Sequence, residues 1–107
     1  MNTKFDPIIK VEEDNLYIDE VGEWSESKYK LLGDYCHIFT KSMQYKWDHL
    51  VYLDLFSGCG YSKIRNTKKI IKGSPLISLS LPNKFTDYIF CEEIENKYES
   101  LYKRIQI

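Results

Sequence analysis

The chain has 107 residues, 43% hydrophobic and 29% charged, which suits one small globular domain with a modest core. Its net charge of −1 argues against a concentrated basic surface for non-specific nucleic-acid binding, and no apolar run approaches the ~20 residues of a membrane-spanning helix. Cys36, Cys59 and Cys91 are widely spaced, with no CxxC pair, so no metal knuckle is expected; the odd count and the lack of a secretory leader point to a cytoplasmic protein with three buried, reduced thiols.

Charge is unevenly spread. Residues 1–26 hold eight acids and two lysines, and the remaining residues hold eight acids and thirteen Lys/Arg. The acid-rich stretch with Pro7 reads as an extended N-terminal arm over residues 1–24, within which "LYID" is a candidate short strand. Residues 25–46 read as a long amphipathic helix, with Ser25 as N-cap and Glu26 in the first turn. Leu32, Tyr35, Cys36, Phe39 and Met43 recur at three- and four-residue steps and form its expected inner face. Gly33 weakens the middle of that helix by ~1 kcal/mol relative to Ala. Trp24, just before it, is expected to staple the helix to the body.

"LVYLDLF" (50–56) has the length and composition of a buried strand. A loop follows over 57–73, with Lys63, Arg65, Lys68, Lys69 and Lys72 and no acid; it can fold back as a hairpin around Asn66-Thr67. Ser74 and Pro75 then read as N-cap and first residue of a short helix. "DYIFCE" (87–92) is a second buried strand, and residues 93–105 a second amphipathic helix with Ile94, Tyr98, Leu101, Tyr102 and Ile105 on its apolar face. Strands alternating with helices predict a parallel α/β arrangement. Two strands make a thin parallel sheet, so residues 25–107 are expected to be the N-terminal half of a larger domain whose sheet continues after Ile107.

The stretch "DLFSGCG" carries the chemistry. At the carboxyl end of a parallel strand, turn amides converge on a ligand position. Asp54 is a fixed charge at that end, and Gly58 and Gly60 let backbone approach a ligand without Cβ clashes. Glu92 ends the second strand, where a carboxylate can accept both hydroxyls of a ribose. Ser74 lies where it can reach a ligand carboxylate. No pyrophosphate cradle of the G-x-G-x-x-G form is present. An ammonium, a carboxylate and a ribose together describe S-adenosylmethionine better than a dinucleotide. A purely structural reading covers the same residues: the glycines make a strand-to-loop turn, and Glu92 and Glu93 sit in a first helical turn that favours acids. Asp54, inside an apolar strand, needs a partner on either reading. His37 and His49 have no ligand-spaced companions, so no metal is expected. The five basic residues of the 63–72 loop are the best candidates for contacting nucleic-acid phosphates, although such runs are commonly solvated.

"DLFSGCG" resembles the first motif of S-adenosylmethionine-dependent methyltransferases, including the D-L-F-x-G-x-G form of the cytosine-C5 DNA enzymes, but their Pro-Cys nucleophile motif is absent. Four blocks together, "VGEWSESKYKLLGDY", "VYLDLFSGCGYS", "KGSPLISL" and "FTDYIFCEEIENKYESL", resemble the N-terminal part of the three-Cys-motif partner protein family, TcmP, over residues 21–101. The resemblance implies a Rossmann-like, methyltransferase-type fold. It matches Asp54, Gly58, Gly60 and Glu92 to cofactor-site positions, and Trp24, Lys28, Gly73, Ser74 and Pro75 to motif positions without an assigned role. Cys59 stands where many relatives have proline. The implied activity is S-adenosylmethionine-dependent methyl transfer, with this chain as the cofactor-binding half and inactive alone. The implied partner is a separate three-Cys-motif protein. The alternative is a non-enzymatic Rossmann-like partner protein in a bacterial or phage nucleic-acid or defence system.

Overall fold

The computed structural model of the chain describes residues 10–106. The start of the expected arm, with Pro7, and the expected continuation of the sheet at Ile107 lie outside the described residues. In chain order the elements are β1 (Asp19–Val21), α1 (Trp24–Met43), β2 (Val51–Asp54), β3 (Tyr61–Ile64), β4 (Ile70–Lys72), α2 (Ser74–Leu79), β5 (Asp87–Phe90) and α3 (Glu95–Ile105). The result is a small mixed α/β fold with partly parallel sheets.

The two strands expected from the sequence, β2 and β5, pair in parallel, with Leu53 opposite Ile89 and Asp54 opposite Phe90. A second, three-stranded sheet has the order β1-β3-β4. There β1 runs parallel to β3, and β3 antiparallel to β4. The loop after the glycine turn is thus a hairpin: Ile64 N–H donates to Lys69 O at 2.8 Å, and Lys68 sits at φ 61° in the turn. The short strand of the arm begins at Asp19, three residues later than the start of "LYID".

Two apolar clusters hold these layers. Ile64, Ile71 and Ile77 pack together, with Tyr29 of α1 against them. Cys36, Leu50, Leu81 and Phe85 form the other, flanked by Leu32, Phe39, Met43, Tyr52 and Tyr88. The Phe85 ring meets Tyr52 edge-on at 5.3 Å and Tyr88 at 5.9 Å. These contacts cover one face of the β2–β5 sheet. The other face, Val51, Leu53 and Ile89, is exposed.

Several expectations about faces are corrected. The expected inner face of α1 packs on the body at Leu32, Cys36, Phe39 and Met43, but Tyr35 is exposed, and so is Trp24, which therefore staples nothing. Gly33, His37 and Thr40 are buried beside that face; the Thr40 hydroxyl donates to Cys36 O at 2.9 Å, which lets a polar side chain be buried. No side-chain cap forms at Ser25, because the helix begins one residue earlier, with Glu23 in the cap position. Of the face expected for α3, Leu101 is buried, but Tyr98, Tyr102 and the cap residue Ile94 are exposed, and Ser100 and Arg104 are buried beside Leu101 instead. That inward stripe ends in Arg104, whose guanidinium nitrogens all find acceptors. Cys91 is exposed, unlike Cys36 and Cys59, and all three thiols are free. Among the described residues no helix is long and apolar enough to cross a membrane.

Ile71 is fully buried in the first cluster. Ile71→Ala is expected to lower the unfolding free energy by about 2–4 kcal/mol, from lost burial and the cavity left behind, read as a lower urea midpoint at unchanged slope.

Candidate ligand cleft at the ends of β2 and β5

A cleft of about 890 Å³ opens beyond the carboxyl ends of β2 and β5. The turn Leu55–Gly60 makes its floor. Asp19–Val21 and Ser62 line one side, and Phe90–Ile94 with Lys97 and Tyr98 line the other.

The turn is shaped by its glycines. Gly58 and Gly60 have φ of +73° and +99°, the left-handed region that side chains with a Cβ resist. The parallel ladder runs on past the strands: Cys91 N–H donates to Asp54 O at 2.8 Å, and Ser57 N–H to Cys91 O at 3.0 Å. Gly73 N–H donates to Gly60 O at 2.6 Å. A Cβ on Gly73 would lie 3.2 Å from that same oxygen, so any side chain there would force these two backbones apart by a few tenths of an ångström.

Four of the five sequence-predicted site residues, Gly58, Gly60, Ser74 and Glu92, line the cleft; Asp54 stands behind its wall. The Asp54 carboxylate accepts from the Ser74 hydroxyl, from Tyr52 OH at 3.4 Å and from Phe56 N–H at 3.3 Å. Burial, and then the adjacent Asp54 charge, push the Tyr52 phenol far above its ordinary value, so it stays a donor. The partner that Asp54 needs inside an apolar strand is therefore internal. Ser74 does not cap α2, because its hydroxyl is spent on Asp54 and Gly73 holds the cap position.

Glu92 is held by two amides, one on each oxygen: Gly58 N–H at 3.0 Å and Ile94 N–H at 2.9 Å. It joins the glycine turn to the start of α3. Each carboxylate oxygen keeps a lone pair for a further donor. At the mouth, Lys97 on α3 meets Asp19 on β1 at 3.1 Å, spanning the cleft. The hydrogen bond to Asp19 holds the Lys97 ammonium above its ordinary value.

Sequence reasoning missed the residue that anchors the site. Arg104 is buried with every donor face engaged. Nε and Nη2 grip the two Asp14 oxygens at 2.8 and 2.7 Å, and Nη1 reaches Tyr17 O at 2.7 Å and Cys59 O at 2.6 Å. Its guanidinium lies 4.2 Å from the Tyr61 ring centre. Burial works against the charge and Asp14 outweighs it, so Arg104 stays ionised. A signal was present: Lys97, Ser100, Leu101 and Arg104 follow at i, i+3, i+4, i+7, a helix face of its own opposite an acid-rich arm.

The basic loop is partly spoken for. Lys69 pairs with Glu26 at 2.9 Å, and Lys72, its charge disfavoured by burial, donates to Ser80 Oγ at 2.9 Å. Arg65 and Lys68 are exposed at the hairpin tip. Among the described residues no group of three metal-ligating side chains occurs. Compared with protein-family models, curated proteins and solved structures, the chain has no match.

Breaking a buried ion pair from one side leaves the other charge uncompensated, at about 3–5 kcal/mol. With Asp14 part-exposed, Arg104→Ala is expected to cost about 3 kcal/mol in a denaturant titration. Arg104 holds the Asp14 carboxyl below its ordinary 3.8, and Lys69 holds Glu26 below 4.5. Both native carboxyls resist protonation longer than in the unfolded chain. Their contribution to stability is full above those ordinary values and is lost as pH falls through the lower native ones. The urea midpoint should therefore drop on acidification below 4.5, with a shallower fall in Asp14→Asn.

Proposed function

We propose that the chain is the cofactor-binding half of an S-adenosylmethionine-dependent methyltransferase of the three-Cys-motif partner type, with a Rossmann-like fold. The supporting observation is one juxtaposition. A positive-φ glycine turn after β2 and an acid after β5 face the same cleft at the carboxyl ends of two parallel strands, which is where open α/β sheets take ligands.

The residues fit that cofactor. The cleft volume is within the range for small-molecule sites. Glu92, with lone pairs to spare, would accept the ribose hydroxyls. Leu55, Phe56, Phe90, Ile94 and Tyr98 offer apolar surface for the adenine. Gly58 and Gly60 would let the methionyl end lie against backbone, and Asp54 would act through Ser74, fixing that hydroxyl at the rim. When bound, the cofactor supplies a methyl group on a sulfonium. This chain's part is to orient it and exclude water.

A second reading is a non-enzymatic partner protein, and one observation favours it. Val51, Leu53 and Ile89 leave one face of a parallel sheet bare, and parallel sheets are ordinarily covered on both faces. A further segment of a larger domain, or a three-Cys-motif protein, would meet that face. Nucleic-acid contact would fall to Lys63, Arg65 and Lys68, since Lys69 and Lys72 have internal partners.

Calorimetric titration of S-adenosylmethionine into the folded chain is expected to show a single site, weakened at least tenfold in Glu92→Ala and Asp54→Ala. A folded chain that takes up no cofactor, or binding indifferent to Glu92→Ala, would overturn the methyltransferase reading and leave the partner reading.

A further inference from the structure

α1 carries two apolar faces, and the fold uses one. The outer face holds Trp24, Leu31, Tyr35 and Ile38, and Tyr45 just past the helix end extends it; they are exposed by 69%, 69%, 70%, 55% and 92%. Their spacing is seven, four, three and seven residues, with Lys28 and Ser42 at the two skipped positions. That is the alternating three-and-four step of a helix-pairing seam. Gly33 and Thr40, opposite the seam, are buried in the body. Exposed apolar residues scattered singly need no explanation, but a line of them at this period does.

We infer that α1 pairs with α1 of a second copy, in antiparallel orientation, to make a two-fold symmetric dimer. Charge selects both partner and direction. Asp34 and Lys41 flank the seam on the same side, seven residues apart, and among the described residues neither makes an ion pair. Turning the helix end over end onto itself sets Tyr35 against Ile38 and Leu31 against Ser42. Asp34 of each copy then faces Lys41 of the other, giving two equivalent pairs. A parallel arrangement would instead bring Lys28 against Lys28 in the seam. Isologous two-fold contacts are the commonest way for soluble chains to associate.

The area suffices. With a fully exposed aromatic side chain worth roughly 200 Å² and an aliphatic one somewhat less, the five residues offer on the order of 700 Å² per copy. A standard interface takes about 800 Å² per partner, and the stems of Lys28 and Lys41 supply the remainder.

Sedimentation equilibrium of the full chain tests this. A closed dimer at micromolar concentrations is expected, lost in Ile38→Glu. Asp34→Lys and Lys41→Asp should each weaken it about tenfold, and the double swap should restore it. These positions lie on an outer face, so circular dichroism and the urea midpoint should confirm that each variant stays folded. A folded wild-type chain that is monomeric at every concentration would overturn the inference. So would open-ended association, a dimer indifferent to both charge reversals, or one dissociated by Leu53→Glu and not by Ile38→Glu.

Discussion

The architecture depends on one buried guanidinium. Arg104 is anchored on α3, yet its donors end on the arm, at Asp14 and Tyr17, and on the glycine turn, at Cys59. Three segments far apart in sequence meet at a single planar group. The shape of that group makes the junction possible, because a bidentate fork closes on Asp14 while the third arm reaches two carbonyls. A lysine would bring one point charge to the same place and leave those carbonyls in competition. A two-stranded sheet is marginal as an isolated unit, and this cluster joins the arm of the three-stranded sheet to the turn that ends the two-stranded one.

The same logic explains the uneven charge. Three acids of the arm and of the first helical turn are spent inside the molecule. Asp14 meets Arg104, Asp19 meets Lys97, and Glu26 meets Lys69. The acidic lead neutralises part of the basic body within one molecule. Glu23 adds to it by accepting a hydrogen bond from Asn66 at the hairpin tip. The Lys97 and Lys69 pairs, nearer the surface, are individually weak, but with the buried Arg104 pair they set where the arm lies, and the arm forms one side of the cleft.

Legibility in the sequence follows the kind of signal. The β2 and β5 strands are readable because both are short apolar runs bounded by breakers, and their parallel pairing follows from the helix between them. The hairpin is readable from Asn66-Thr67. The faces of α1 and α3 are readable only in part. On α1, the inner stripe of Leu32, Cys36, Phe39 and Met43 is readable from its period, but Tyr35 belongs to a second, outer stripe; Gly33 and Thr40 face inward, at positions where period and hydropathy carry little weight. On α3 the fold prefers a stripe ending in arginine over one holding Tyr98 and Tyr102, because fully satisfied hydrogen bonds make a buried charge tolerable. No periodicity reports on that. Asp54 stands out in the sequence as a carboxylate in need of a partner; Tyr52 lies two residues away on the same strand face, but Ser74 is brought to it only by tertiary structure. Glu92 is found by its place at a strand end, whereas its grip on the Gly58 and Ile94 amides depends on a turn conformation that the residue types permit without specifying.

The backbone contact between Gly60 and Gly73 bears on how such a chain can change over time. Everything between them, the whole β3–β4 excursion, leaves and re-enters the fold at two points joined by a 2.6 Å hydrogen bond. A loop closed at its base transmits little of its own length to the elements on either side. Residues can be gained or lost at the Asn66–Thr67 tip while Asp54, Ser74 and Glu92 stay in register. The hairpin tip is thus a place where surface chemistry, including its exposed cations, can diverge while the cleft at the hairpin's base stays the same.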